Sequence, residues 1–260
     1  MIGIGIDIGS TAAKAAVVDG GGSVAWTCVQ PTGFSSVDAS ERLREALAAA
    51  GYDVAADDVR VVATGYGRVA VLYAHKVVTE ITCHGTGAVR LFGDHGTVID
   101  VGGQDTKVIQ LKSGRVAKFA MNDKCAAGTG RFYEAMARSF EMSLPEFSNL
   151  SLTARNVIPI TAQCTVFAES EVITLVGEGK PMDEIAAGIQ MAVAKRCFVM
   201  AKKAGATDAI TLTGGCAKNA GLKQAIERVL KLKVIDLKTD PQLMGALGAA
   251  EYARQKGMAR

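Results

Sequence analysis

Short apolar runs closed by Gly- and Asp-rich turns alternate along this chain with longer stretches of helical apolar spacing. The opening runs predict three strands, at residues 2–8, 13–18 and 23–29. A helix is expected over 37–50, a strand over 59–64 and a second helix over 80–91. Another hairpin begins at Thr97, with a further strand near 116–121. Apolar spacing predicts helices at 129–140, 167–176 and 182–204. A strand at 209–213 meets Gly214-Gly215, and a helix resumes near Ala217. A short strand at 233–235 precedes a last helix over 241–255, with Pro241 well placed near its start. Alternating strands and helices predict α/β layers.

The two hairpins are a duplication. Ile6-Asp7-Ile8-Gly9-Ser10-Thr11-Ala12-Ala13-Lys14 recurs 93 residues later as Ile99-Asp100-Val101-Gly102-Gly103-Gln104-Asp105-Thr106-Lys107. Asp7 aligns with Asp100, Gly9 with Gly102 and Lys14 with Lys107. Each copy reads as a strand, an Asp-x-Gly turn and a second strand. A Gly or Ser turn after a buried strand aims backbone N–H groups at one spot, which suits a phosphate. The strand-end Asp can hold a hydrated Mg2+ beside it. Asp and Gly are also default turn residues, but their matched recurrence with Lys points to a nucleotide clamp. Three more glycine sites go with it: Gly128-Thr129-Gly130 opening a helix, Gly214-Gly215 after a strand, and Gly245-Ala246 with Gly248-Ala249 inside the last helix. Small residues within a helix cost stability and mark close backbone packing. The P-loop sequence G-x-x-x-x-G-K-[ST] is absent.

At 260 residues, 49% hydrophobic and 21% charged, the composition is that of a globular α/β protein with one large domain or two small ones. The net charge of +3 comes without a dense Lys/Arg run, so nucleic acid is not an expected partner. No stretch approaches the apolar length of a membrane span and Met1 leads directly into a strand, so neither span nor secretory signal is expected. A cytoplasmic location is. Six cysteines (Cys28, Cys83, Cys125, Cys164, Cys197, Cys216) show no paired spacing, and disulfides are not expected. Cys28 falls in a predicted strand, Cys83 and Cys197 in helices and Cys216 beside Gly215, places that suit small buried hydrophobes. His75, His84 and His95 show no metal-binding spacing.

Together the five sites resemble the superfamily of acetate and sugar kinases, heat-shock ATPases and actin. The resemblance implies two duplicated RNase-H-like (actin-like ATPase) domains with ATP in the cleft between them. Residues 1–92 with 240–260 would form the first domain and 93–239 the second. Asp7, Gly9, Ser10, Thr11 and Lys14 match the first phosphate loop, and Asp100, Gly102, Gly103, Gln104 and Asp105 the second. Gly214, Gly215 and Asn219 match the adenosine loop. Gly128, Thr129 and Gly130, and Gly245 to Ala249, match the connecting segments.

Two longer motifs narrow the resemblance. Asn122-Asp123-Lys124-Cys125-Ala126-Ala127-Gly128-Thr129-Gly130-Arg131-Phe132 and Cys164-Thr165-Val166-Phe167-Ala168-Glu169-Ser170-Glu171-Val172 are similar to two signatures of the activator component of 2-hydroxyacyl-CoA dehydratases. Gly102 to Asp105 and Thr64-Gly65-Tyr66-Gly67-Arg68 also fit, and the related activating subunits of benzoyl-CoA reductases share much of the pattern. This family implies a homodimer with one 4Fe-4S cluster between its subunits, oxygen-sensitive and liganded by Cys125 and Cys164 of each. It also implies coupling of ATP hydrolysis to transfer of a low-potential electron from a ferredoxin or flavodoxin to a partner dehydratase or acyl-CoA reductase. The ligand count agrees: a cubane cluster takes four thiolates, and a twofold axis doubles the two of one chain.

For hydrolysis, Asp7 and Asp100 would bind Mg2+, and Ser10, Thr11, Gly102 and Gly103 the phosphates. Gln104 is the first choice to orient the attacking water and Asp105 the second. Lys124 and Arg131 flank the cluster site as charge compensation, docking or plain surface, while Glu169 and Glu171 read as helix surface or dimer contacts. The residues of Thr64–Arg68 suggest no role by themselves. The alternatives are a small-molecule kinase with Asp105 as base, which has no use for the cysteine signatures, and a nucleotide-gated chaperone-like module, which would call for a peptide-binding appendage for which 260 residues leave no obvious room.

Overall fold

Isoleucine and glycine alternate along the first strand of the computed structural model, which describes residues 1–162, 164–206 and 209–256. In chain order the elements are β1 (Ile2–Ile8), β2 (Ala12–Val18), β3 (Val24–Pro31), α1 (Ser36–Ala49), β4 (Val59–Thr64), β5 (Lys76–Val77), α2 (Glu80–Phe92), β6 (Gly96–Val101), β7 (Thr106–Lys112) and β8 (Arg115–Asn122). They continue with α3 (Gly130–Ser139), α4 (Leu144–Leu152), α5 (Thr165–Gly177), α6 (Met182–Ala204), β9 (Ile210–Thr213), α7 (Ala220–Leu230) and α8 (Met244–Lys256). The chain divides into two compact units. One comprises Met1–His95, Leu111–Ala117 and the stretch from Leu237; the other comprises Gly96–Gln110 and Lys118–Asp236.

In the first unit the sheet order is β3-β2-β1-β4-β5, with β1 antiparallel to β2 and parallel to β4. Successive side chains on a strand face opposite sides. Ile4, Ile6 and Ile8 thus meet Leu43 and Leu47 of α1 on one face, with Ala15, Val17 and Val61. The glycines fall on the other. A Cβ on Gly3 or Gly5 would overlap the carbonyl of Ala250 or Ala246, so the bare face lets α8 lie directly on β1. Helix α2 meets α8 by the same device, since a Cβ on Gly248 would overlap the Cys83 carbonyl and one on Gly87 the Met244 carbonyl.

The second sheet has the order β8-β7-β6-β9, with β6 and β9 parallel and Asp100 beside Thr213. Its core gathers Ile99, Val101 and Val108 with Phe132, Met136, Phe147, Val172, Ile189 and Val193. Phe140 and Phe147 meet edge to face with centroids 5.3 Å apart. Among the described residues no helix is long and apolar enough to cross a membrane.

Three elements depart from the sequence reading. Helix α4 lies where no helix was predicted, although Ser143 and Glu146 form a capping box and Pro145 sits in the first turn, a readable start signal. The strand expected at 233–235 is a single bridge between Val234 and Ile210. Glu227 Oε1 accepts the Val234 amide at 3.0 Å and Thr211 Oγ1 donates to the Ile235 carbonyl at 2.7 Å, so side chains take the groups a ladder needs. The two-residue β5 is too short to leave a pattern.

The α2–α8 contact predicts a graded response to one methyl group. Gly248→Ala should cost about 1–3 kcal/mol through overpacking, a melting midpoint lower by roughly 3–10 °C. Gly177→Ala, whose Cβ meets nothing within 4 Å, should stay within about 1 °C of the parent by thermal unfolding. Equal midpoints for the two variants would contradict the packing.

Candidate functional site

Each copy of the duplicated motif builds a turn closed by one backbone hydrogen bond: Gly9 N donates to Ala12 O at 3.0 Å, and Gly102 N to Asp105 O at 2.9 Å. In the first unit, Asp7 is the penultimate residue of β1, across from Lys14 on β2, and Lys14 Nζ lies 3.0 Å from Asp7 Oδ2. Thr32 draws back two carbonyls of the turn, its hydroxyl donating to Gly9 O at 2.7 Å and its amide to Thr11 O at 3.0 Å. Thr11 remains exposed and Ser10 half-buried.

Beside the Lys14 ammonium, backbone closes around Asp7. A Cβ on Gly245 would fall 2.5 Å from Asp7 Oδ2 and 3.0 Å from His84 Cε1. Gly65, at φ +90°, is pressed against Asp7 Oδ1 and the Ile8 carbonyl. This places the Thr64–Arg68 segment. Thr64 is in register with Asp7 on the adjacent parallel strand, and Gly67 N donates to Ile8 O at 2.9 Å. Arg68 Nη1 donates to Gly65 O at 3.0 Å. The motif is the floor of the first turn: Gly65 leaves room for the buried carboxylate, and Gly67 leaves room for Ser36 and the Ile8 side chain.

In the second unit, Asp100 is the penultimate residue of β6, and Thr213 Oγ1 donates to its Oδ1 at 2.7 Å. Lys107 Nζ lies 3.5 Å from Asp100 Oδ2 and also pairs with Asp105. Gln104 is exposed at the tip. The turn's carbonyls seat a helix: Gly130 N donates to Gly102 O and Arg131 N to Gly103 O, both at 2.8 Å. Thr106 Oγ1 adds a buried bond to Gly128 O at 2.7 Å. Gly128 needs its φ of +89°, and Gly214 its +82° beside the Val101 backbone. Gly215 is exposed. Thr129 is fully buried, its hydroxyl donating to Ala126 O at 2.6 Å, so it shapes the loop from within. Asn219 Oδ1 caps α7, accepting from Leu222 N at 2.9 Å and Ser148 Oγ at 2.8 Å.

Exposure separates the cysteines. Cys125 and Cys164 are exposed, Cys83 and Cys197 buried, Cys28 and Cys216 intermediate. Burial pushes the Cys83, Cys197 and Cys216 thiols up to about 12, and Cys28 upward as well. Those four stay protonated at neutral pH, and a metal ligand must be a thiolate. Cys125 follows β8 in a loop tied down by Asn122, whose Nδ2 donates to the Cys125 carbonyl at 2.9 Å. Cys164 occupies the N-cap of α5 without a side-chain capping bond. Among the described residues no group of three or more His, Cys, Asp or Glu side chains is arranged to hold a metal.

Two residues read as helix surface do more. Glu171 accepts the amides of Thr161 at 2.9 Å and Ala162 at 2.8 Å, and the Thr161 hydroxyl at 2.9 Å. Desolvation, the largest single effect, pushes the carboxyl up, but the three bonds together outweigh it and hold the group below the usual range. Glu169 accepts from Ser139 Oγ at 3.2 Å, linking α5 to α3. Arg131 pairs with Glu134 at 2.7 Å along α3. Lys107 was missed as a site residue, although its alignment with Lys14 was in plain view.

The sequence profile of the BadF/BadG/BcrA/BcrD ATPase family matches residues 4–253. The activator of lactoyl-CoA dehydratase from Anaerotignum propionicum is 42% identical over 97% of both chains. Component A of the (R)-2-hydroxyglutaryl-CoA dehydratase of Acidaminococcus fermentans superposes with a TM-score of 0.91 at 37% identity, covering 98% of each chain. The activator of the 2-hydroxyisocaproyl-CoA dehydratase from Clostridium difficile, solved with bound ADPNP, gives 0.89 at 39% identity, covering 98% of this chain and 95% of that one. The fold is that of the actin-like ATPases.

The thiol sorting is directly measurable. In metal-free native protein at pH 8, the exposed Cys125 and Cys164 should react rapidly with Ellman's reagent, Cys28 and Cys216 more slowly, and the buried Cys83 and Cys197 only after unfolding. A third fast thiol would contradict the assignment.

Proposed function

Because the chain belongs to the BadF/BadG/BcrA/BcrD ATPase family, we propose that it activates a partner 2-hydroxyacyl-CoA dehydratase by ATP-dependent electron transfer. The observation that carries this reading is the joint between the second turn and α3. The carbonyls of Gly102 and Gly103 hold the first amides of the helix whose approach carries Cys125. Nucleotide chemistry at that turn and a redox group on that loop would therefore be mechanically one.

Cys125 and Cys164 fit an iron–sulfur cluster by donor chemistry, as the two exposed thiols of the chain. Bound there, a 4Fe-4S cluster would supply one-electron transfer at low potential, and its exposure makes oxygen sensitivity an expectation. Two ligands per chain require a second copy, and the homodimer has further support in α5. Val166, Phe167 and Ile173 are each more than half exposed on this helix beside Cys164, an apolar surface that suits a protein interface. A ferredoxin or flavodoxin is the expected donor and the cytoplasm the expected location.

On the nucleotide side, Asp7 and Asp100 offer hard oxygen donors that fit a hydrated Mg2+. Ser10, Thr11, Gly9, Gly102 and Gly103 would contact phosphates, with Lys14 adding charge. Gly214, Gly215 and Asn219 would take the adenosine. Gly128 to Gly130 and Gly245 keep backbone close to the two turns. Gln104 is the residue best placed to orient water, since Asp105 is paired with Lys107. That pairing also weighs against a kinase, which would need Asp105 as a free base.

Anaerobically purified protein should contain about four iron and four acid-labile sulfide per dimer, both lost in Cys125→Ser and in Cys164→Ser. Iron-free protein after attempted reconstitution would sink the activator reading. Gln104→Ala should lower ATP turnover at least about tenfold with little change in nucleotide affinity, since catalysis here is positioning. Unchanged turnover would remove Gln104 from the mechanism.

A further inference from the structure

A lysine ammonium lies between two carboxylates at the second turn. Lys107 Nζ is 3.5 Å from Asp100 Oδ2 and pairs more closely with Asp105 Oδ2, and the Lys107 and Asp100 side chains are only 3% and 4% exposed. Thr213 Oγ1 holds the other oxygen of Asp100, and the Gly102 amide holds the Asp105 backbone. A buried lysine survives only when anions pair with it. Its ammonium is a compact point charge on a flexible stem, able to change partners. Two carboxylates converging on one cation are also what Mg2+ uses, together with substrate phosphates. The first turn supplies the contrast: Lys14 pairs with Asp7, and Ala12 stands where Asp105 stands in the second copy.

Resting on the reading of this turn as a phosphate site, we infer that Lys107 is a resident cation that keeps the Asp100–Asp105 pair closed to a divalent ion until nucleotide arrives. A divalent ion alone must displace an ammonium that already neutralises the carboxylates. An ion arriving with nucleotide offers that ammonium a phosphate oxygen in exchange, so the displaced charge is never left unpaired. Metal uptake at the second turn thus becomes conditional on nucleotide, and the condition is written in one side chain.

Mn2+ is the probe, followed by the electron paramagnetic resonance of the free ion in titrations of the intact protein with and without ADP. The parent should bind Mn2+ tightly only with ADP. Lys107→Met should bind one Mn2+ per chain without ADP, at least about tenfold more tightly than the parent. Lys107→Arg should restore parental behaviour, and adding Asp105→Asn to Lys107→Met should abolish the gain. A folded Lys107→Met with parental Mn2+ affinity would overturn the inference. If Lys107→Met does not fold, the parent decides: nucleotide-free binding as tight as that with ADP overturns the inference and leaves the phosphate site standing, whereas ADP-dependent binding supports it. No Mn2+ binding even with ADP would overturn the phosphate-site reading itself and the inference with it.

Discussion

Two backbone hydrogen bonds, from Gly130 and Arg131 to the carbonyls of Gly102 and Gly103, hold the second unit's chemistry in one piece. A helix leaves its first N–H groups without partners, and α3 spends two of them on the turn. Breaking either would leave a polar group unsatisfied at a cost of about 1–3 kcal/mol where water is excluded. The turn and the helix start therefore shift together or stay put. The joint is tight at Gly130, where a Cβ would lie 3.1 Å from Gly102 O and 3.2 Å from Gly103 Cα. Thr106 adds a third strut to Gly128, and Asn122 folds the Cys125 segment onto the same loop through the Cys125 and Ala127 carbonyls.

The duplicated turns bury a strand-end carboxylate by different means. At Asp7 the solution is space: Gly65 and Gly245 bring backbone against the carboxylate, and Lys14 supplies the charge. At Asp100 the solution is bonding, with the Thr213 hydroxyl on one oxygen and Lys107 near the other. Thr64, in register with Asp7, and Thr213, in register with Asp100, stand at corresponding places on the neighbouring parallel strands. The repeat thus extends beyond the nine aligned residues into the strand pairing. A one-residue shift in either register would turn the carboxylate to the opposite face.

Most of this was legible in the chain because strands, turns and the longer helices announce themselves through spacing. The alternating Ile and Gly of β1 carry more information than a strand assignment uses: the empty face already implied a helix lying on backbone. Helix α4 was overlooked because its nine residues hold a weak apolar stripe, although the Ser143–Glu146 box marked its start. Thr64–Arg68 carried no chemistry in isolation, since its role is to leave room, and room is visible only once Asp7 is placed. Glu171 shows the reverse case. A glutamate on a helix reads as solvated surface, and its partners, Thr161 and Ala162, lie ten and nine residues upstream in a segment without periodicity.

Glu171 also bears on why Cys164 stands where it does. The N-cap position ordinarily goes to Ser, Thr, Asp or Asn, whose oxygen accepts a helix amide. Cysteine there caps poorly, and α5 has no side-chain cap. A bare helix start favours negative charge in its neighbourhood by roughly 0.3–1 kcal/mol. The approach to such a cap needs another anchor, and the Glu171 carboxylate provides it by binding two successive backbone amides. The acidic residue is thereby kept on the backbone, where its charge is met by N–H donors. The same residue pattern that looks like a sequence signature is, physically, a helix start without a side-chain cap and a carboxylate that anchors its approach.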